Sequence, residues 1–154
     1  MKKLALTICG LVLLVCGASA SARAQTGAVR EPDQATSLRD PLLEADSMKN
    51  LEAARLYFKL RKAYRASLAR SEEIIAGNPN FSRIDEALYM AGMSHLYLSQ
   101  KKGKQPPTLD AEKHLEEARR YLSQLVNDFA DSEFYKKAEL ELNGIGGAKK
   151  SEDR

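Results

Sequence analysis

The chain has 154 residues, 44% hydrophobic and 29% charged, a composition that suits one globular domain of ordinary size. Its formal charge is +3, and that excess equals Lys2, Lys3 and Arg23. Removing these three from the 24 Lys and Arg residues leaves 21, the same as the number of Asp and Glu residues. The remainder is therefore electrically balanced, which argues against nucleic acid as a partner.

Residues 1–24 have the pattern of an export signal. Met1-Lys2-Lys3 precedes an apolar run from Leu4 to Cys16, which is shorter than the roughly 20 residues that a membrane-spanning helix needs. Small residues then lead to Ala22-Arg23-Ala24, an A-x-A cleavage motif that would start the mature chain at Gln25. An earlier motif, Ala18-Ser19-Ala20, is the second choice.

The alternative processing route is lipidation of Cys16, because lipoprotein signals are cut immediately before such a cysteine. Val15 precedes Cys16 where a small residue is usual, so cleavage after Ala24 is the preferred prediction. That cleavage also removes Cys9, leaving no cysteine for a disulfide or a thiolate site. We expect membrane attachment only if Cys16 is lipidated.

Three segments follow the signal. Residues 25–39 are polar, lack an apolar period and contain Pro32, which predicts a flexible linker. Residues 40–144 carry helical patterns throughout and predict one folded domain. Residues 145–154 are glycine-rich and then charged, which predicts a disordered tail.

The first helical region opens at Asp40-Pro41, which fits an N-cap followed by proline at the first helical position. Residues 46–76 contain no Pro or Gly, and the pattern fits either one long helix or two joined by a bend. Gly77-Asn78-Pro79 predicts its end, with Gly77 as a left-handed cap. Apolar steps of three and four predict one buried face, made of Ala53, Tyr57, Leu60, Tyr64, Leu68 and Ile75.

Three more helices are predicted. The second starts at Ser82 as N-cap and runs to about Ser99, and a loop with Pro106-Pro107 follows. The third runs from Asp110 to about Asp128, and the fourth runs from Ser132 to Asn143-Gly144. No strand pattern competes, so the predicted fold class is all-α.

An internal repeat connects two parts of this pattern. Each part has two apolar residues at a helix end, a tight turn and a new helix. The first contains Ile74-Ile75, Pro79, Ser82, Ile84 and Ala87, and the second contains Leu125-Val126, Ala130, Ser132, Tyr135 and Ala138. Such repetition predicts antiparallel helical hairpins that bury their apolar faces by stacking.

The repeat carries a family resemblance. NPNFSRIDEALYMAGMSHLYL resembles the turn and following helix of tetratricopeptide (TPR) repeats, with Pro79, Ala87, Leu88, Gly92 and His95 in the pattern. LVNDFADSEFYKKAELEL resembles a segment of BamD-like (YfiO-like) outer-membrane assembly proteins, with Ala130 in place of proline. The resemblance implies a short TPR-like α-solenoid in the periplasm, with a role in outer-membrane protein assembly.

Residues that could carry chemistry are few. His95 and His114 are the only histidines, and neither has a second His or a Cys at metal-binding spacing; Glu117, three residues after His114, does not make a metal site with it. We expect His95 in the core and His114 on a solvated helix face. Gly144-Ile145-Gly146-Gly147 lacks the strand and Lys of a phosphate-binding loop. The sequence predicts no catalytic, cofactor or metal site and no enzyme; the tyrosines expected in the core or a groove are Tyr57, Tyr64, Tyr89, Tyr97 and Tyr121.

These features predict an interaction scaffold whose concave face holds a segment of an envelope protein. About two repeats leave the ends of the stack uncovered, so we expect self-association or docking on a larger envelope protein. Two alternatives stay open. One is an envelope or peptidoglycan-associated accessory protein with the same repeats. The other is a small helical-bundle ligand carrier or enzyme, which requires a closed pocket with a desolvated carboxylate or histidine.

Overall fold

The computed structural model describes residues 39–146, and within them the chain forms five α-helices and no strand. The helices are α1 (Pro41–Leu56), α2 (Tyr64–Gly77), α3 (Ile84–Ser99), α4 (Ala111–Asp128) and α5 (Tyr135–Gly144). Each helix packs against the next one along the chain, and α1 also contacts α3. The predicted all-α stack of helical hairpins, a short TPR-like solenoid, is confirmed. The predicted signal, residues 25–38 of the linker and residues 147–154 of the tail lie outside the described residues.

The start of α1 follows the prediction from its first two residues. Asp40 is the N-cap in an extended conformation, and its carboxylate accepts a hydrogen bond of 2.8 Å from the Leu42 N–H. Pro41 occupies the first helical position, where a missing N–H has no consequence.

Residues 46–76 form two helices and not one. A π-helical turn, Tyr57–Arg61, follows α1, and Lys62 then takes a left-handed conformation with φ of 49°. The predicted single face is wrong at Leu60, which is 78% exposed. The break gives each helix its own buried face, so a stripe phased on α2 does not continue into α1. The buried residues of α1 are Ser47, Leu51 and Ala54.

The loop between α3 and α4 lies against this break. Gly103 has a φ of +99°, and a Cβ there would lie 2.7 Å from the Tyr64 ring and 2.8 Å from the Lys62 carbonyl oxygen. Both the backbone conformation and the available space therefore require glycine. The loop predicted around Pro106-Pro107 is confirmed, and it is fixed to the start of α2.

The two turns that join α2 to α3 and α4 to α5 repeat the same backbone hydrogen bonds. Asn78 N–H donates to the Ile74 carbonyl (2.8 Å), and Phe129 N–H donates to the Leu125 carbonyl (2.9 Å). The next bond pairs Phe81 with Asn78 in one turn and Ser132 with Phe129 in the other, each at 3.0 Å. The internal repeat is thus visible in the backbone, and Ser132 corresponds to Phe81 and not to Ser82.

Three terminal assignments are corrected here. α3 begins at Ile84 and α5 at Tyr135, so Ser82 is not the N-cap of α3 and Ser132 is not the start of α5. The reason is that a backbone bond first closes each turn, from Ile84 to Phe81 and from Tyr135 to Ser132. Gly77 ends α2 without being left-handed, because the positive-φ glycines of residues 39–146 are Gly103 and Gly146. Pro79 excludes the helical conformation at Asn78, whose φ is −143°.

The central helix α3 is surrounded by its neighbours. Eleven of its 16 residues are buried, which explains why its sequence is apolar on several sides. Gly92 allows α4 to approach closely, since a Cβ there would lie 2.6 Å from Leu122 Cγ. The buried faces of α4 and α5 carry Ala118, Leu122, Leu125, Ala138 and Leu142. Packing extends one residue into the predicted tail, because Ile145 contacts this core.

Candidate binding groove

A groove of about 600 Å³ crosses one side of the stack. Its lining comes from α1 and the turn after it, from α3 and from the start of α5. Successive helices alternate between two layers, so the odd-numbered helices form one face of the solenoid. The side chains that define this binding groove are Arg55, Phe58, Lys59, Arg83, Glu86, Tyr89, Met90, Glu133, Phe134 and Lys137.

The apolar part of the groove is aromatic and is supported by the core. Tyr89 and Phe134 stack with ring centroids 5.0 Å apart. Phe58 stacks on Tyr97 at 5.4 Å and meets the edge of Tyr64 at 5.1 Å. Aromatic rings held on both sides provide rigid contact surface for a partner, with little loss of side-chain freedom on binding.

A carboxylate between two arginines connects the three helices beneath this surface. Glu86 on α3 is 5% exposed, and Arg55 on α1 donates to both of its oxygens, at 2.6 and 2.5 Å. This hydrogen bonding by Glu86 raises the pKa of the Arg55 guanidinium. Arg83 reaches Glu86 at 2.7 Å and Glu133, just before α5, at 3.1 Å. The cluster fixes α1, α3 and α5 relative to one another, and so fixes the shape of the groove.

The rim of the groove is positively charged. Its lining holds four basic and two acidic side chains, an excess of two positive charges. Lys59 and Lys137 are exposed, and the Lys137 ammonium lies 5.5 Å from the centre of the Phe134 ring. Aromatic walls with a basic rim suit a partner segment that presents apolar and acidic side chains.

The five tyrosines singled out from the sequence divide between core and groove. Tyr64 and Tyr121 are buried, and Tyr57 and Tyr97 are half-buried. Tyr89 lines the groove, where burial raises the pKa of its hydroxyl, with Glu141 and Tyr97 adding to the effect. The Tyr89 hydroxyl therefore stays protonated at neutral pH and can donate a hydrogen bond to a partner.

The two histidines meet in the core, away from the groove. His114 is fully buried, so its predicted place on a solvated face is wrong. Its helix surface looks charged in sequence, but α3 and the loop before α4 cover it. His95 is also buried, as predicted, and its Nδ1 lies 2.8 Å from His114 Nδ1.

The neighbours of these rings determine where the protons lie. Leu109 N–H donates to His114 Nε2 at 3.2 Å, so that nitrogen is an acceptor and Nδ1 carries the proton. His114 Nδ1–H then donates to His95 Nδ1, and His95 Nε2–H faces Glu72 Oε1 at 3.6 Å. Tyr121 O–H donates to the same oxygen at 3.3 Å. This histidine chain connects the α3–α4 loop to α2 through both intervening helices.

The electrostatics of the histidine chain favour a neutral His114 ring and an ionised Glu72 carboxylate. Burial lowers the pKa of His114, and proximity to His95 lowers it further. The pKa of Glu72 is lowered, chiefly by His95. Within residues 39–146 no three His, Cys, Asp or Glu side chains are grouped to hold a metal ion. The hydrogen bonds of the histidine chain join α2, α3 and α4 in the core.

A larger cavity, about 680 Å³, lies where the two repeated turns meet. Asp85, Asp128 and Asp131 line it, and its rings, Phe81 and Phe129, pack into the core clusters. The turns that form it are needed to join the helices. The binding groove combines aromatic walls with a basic rim, which makes it the better candidate for a partner site.

Residues 34–146, more than half of the chain, match the YfiO family, described as outer membrane lipoprotein. The chain belongs to the YfiO family. Comparisons with curated proteins and with solved structures gave no significant match. None of the helices described for this YfiO-family chain is long and apolar enough to cross a membrane.

Sequence reasoning missed both polar clusters. Glu86 and Arg55 are 31 residues apart, and His95 and His114 are 19 apart. No local motif joins either pair, because helix packing alone brings them together. Glu86 stands beside Asp85 at the start of α3, and its sequence position alone gave no sign that it would be buried.

Proposed function

We propose that this YfiO-family chain is a non-catalytic periplasmic scaffold that binds a segment of an envelope protein in the groove, in the service of outer-membrane protein assembly. The observation that supports it best is the combination of aromatic walls, a basic rim and a rigid charged cluster on one face. Family membership supports the setting, since the family is described as outer membrane lipoprotein. Partner binding would come from a few ring contacts, with Lys59 and Lys137 setting orientation.

Site-specific photocrosslinking tests the binding face. A benzophenone amino acid replaces Lys59 or Lys137 in the groove, and Gln124 on the exposed side of α4 serves as the matched control. We expect the groove positions to capture one defined envelope protein, identified by mass spectrometry, and Gln124 to capture none. Equal labelling from all three positions, or none from the groove, contradicts the proposal.

Charge reversal tests the rim independently. Lys59→Glu with Lys137→Glu turns the excess of two positive charges into an excess of two negative ones. We expect the captured partner to bind at least about tenfold more weakly, because like charges oppose an acidic segment. Lys113→Glu, on the exposed face of α4, is the control, and we expect it to leave binding unchanged.

The form of the N-terminus sets the location. Cleavage after Ala24 releases a periplasmic chain, whereas acylation of Cys16 attaches it to the outer membrane, as the family description favours. Mass spectrometry of the protein purified from its own envelope distinguishes a chain starting at Gln25 from an acylated one starting at Cys16. An intact chain that retains Met1 in the cytoplasm contradicts the periplasmic setting of the proposal.

A further inference from the structure

Among the described residues, the first helix of the stack, α1, and the last, α5, differ on their outward faces. On the outward face of α5 the exposed residues are Lys136, Glu139, Leu140 and Asn143, so Leu140 is the one large apolar side chain among polar ones. A polar exterior of this kind ends a helical solenoid in water. α1 does not have such an exterior.

Leucines stand out at both ends of the outward face of α1. Leu42 is 77% exposed, Leu56 is 41% exposed, and Leu60, in the turn that continues α1, is 78% exposed. They lie opposite the buried Leu51 and Ala54, by helical periodicity. Leu56 and Leu60 lie about one helical turn apart, and with Leu42 they give this face apolar surface that a partner can cover.

The middle of the same face is charged. Lys49 and Glu52 are exposed and follow one another at a spacing that keeps them on the face of the leucines. Lys49 pairs with Asp46 of its own helix at 3.1 Å, but both side chains are more than 70% exposed. Such a pair contributes little, so Lys49 is available to a second carboxylate.

We infer that the outward face of α1 pairs antiparallel with the same face of a second copy of this chain. A two-fold axis midway between Lys49 and Glu52 sets Lys49 of one copy opposite Glu52 of the other, twice. Leu42 lies about 13 Å before this point and Leu60 about 14 Å after it, at 1.5 Å per helical residue. The axis therefore also sets Leu42 of each copy opposite Leu60 of the other. The same two-fold axis therefore pairs the opposite charges and brings the leucines of the two copies together.

Other occupants fit this face less well. The preceding segment, residues 25–38, has Val29 and Leu38 as its only large apolar residues, too few to cover three leucines. Lys49, Glu52 and Asp46 in the middle of the face disfavour burial in lipid. The surface is self-complementary in charge, which a second copy satisfies without any other component.

The pairing of one helix with another buries less than a standard interface, so we expect a weak dimer. The test is sedimentation velocity of residues 25–154 over roughly 1 µM to 1 mM. The wild-type chain should shift from monomer toward dimer across this range. A chain that remains monomeric throughout overturns the inference.

Charge exchange identifies the interface. Lys49→Glu opposes two carboxylates and Glu52→Lys opposes two ammonium groups, so each variant alone should raise the dissociation constant at least about tenfold. Mixing the two variants restores opposite charges at both contacts and should restore dimer formation. A mixture that stays as weak as its components overturns the pairing, whereas recovery in the mixture supports it.

Two further variants locate the apolar contact. Leu42→Glu with Leu60→Glu should abolish the dimer, while Leu140→Glu on α5 should leave it unchanged. Unchanged thermal unfolding of each variant shows that folding is not the cause. Loss of the dimer in Leu140→Glu, or its survival in the Leu42/Leu60 variant, overturns the assignment to α1. The groove plays no part in this test, so its outcome is independent of the proposed function.

Discussion

The two faces of α3, a helix of 16 residues, have different surroundings. One face carries Leu88, Ala91, Gly92 and His95, and it packs against α2 and α4 without room for change. The other carries Glu86, Tyr89 and Met90, and it faces the groove between α1 and α5. The difference teaches that a helix can be buried nearly all round and still leave one side facing an open groove. Substitutions on the two faces should therefore affect different measurements.

Gly92→Val should have the largest effect, because its side chain meets Leu122 at less than 3 Å in a filled core. We expect the free energy of unfolding to fall by about 3 kcal/mol in urea titration. Gly77→Val is the matched control, since nothing lies within 4 Å of a Cβ there. Equal losses in both variants would mean that helix propensity, and not the α3–α4 contact, governs the effect.

His114→Phe keeps a planar aromatic ring at this position but removes both hydrogen bonds that His114 makes in the histidine chain. Leu109 N–H and His95 Nδ1 lose their partner, so we expect a loss of about 2 kcal/mol near pH 7.5. Lys113→Ala, at the exposed neighbouring position, should change stability by less than about 0.5 kcal/mol.

The pH dependence of the stability of His114→Phe tests whether folding lowers the pKa of His114. His114 has a folded pKa below its unfolded value of about 6.5, so the unfolded chain binds more protons in that range. The contribution of His114 to stability is therefore fully present above the unfolded pKa. It is lost as the pH falls from the unfolded pKa toward the folded pKa. The gap between wild type and His114→Phe should therefore narrow from pH 7.5 to pH 5.5 in thermal unfolding. A gap that widens contradicts the neutral state of His114.

Glu86→Ala should lower the free energy of unfolding by about 1–2 kcal/mol, less than His114→Phe does. The loss is limited because Arg55 and Arg83 can turn toward solvent once they are unpaired. Glu73→Ala removes the exposed pair with Arg70 and should change stability by less than about 0.5 kcal/mol. Chemical denaturation compares the two. The groove should also lose its shape, so partner capture at Lys137 should fall in Glu86→Ala alone.

Tyr89→Phe should have the smallest effect on folding, below about 0.5 kcal/mol, since the stacking on Phe134 is retained. Its hydroxyl is the group that a partner would use, so we expect binding to weaken severalfold while thermal unfolding is unchanged. Binding that stays at the wild-type level would confine the role of Tyr89 to its ring.

Local chemistry by itself determined much of this protein. Asp40 and Pro41 define the start of α1, Asn143-Gly144 marks the end of α5, and the period of Ala118, Leu122 and Leu125 gives the buried face of α4. These features depend on neighbours within a few residues, for which helix geometry is the same in any fold. The repeat was also readable, because equivalent turns need equivalent residues.

Only the tertiary structure decided the rest. The phase of α1 relative to α2 depends on the π-helical turn and on left-handed Lys62, and Gly103 of a distant loop lies against Lys62 and Tyr64. His114 and Glu86 lie on helix surfaces that look charged and solvated until a neighbouring helix covers them. The burial of a side chain depends on contacts between elements that lie tens of residues apart in sequence. Side-chain periodicity predicts an apolar helix face, but it does not predict which element packs against that face.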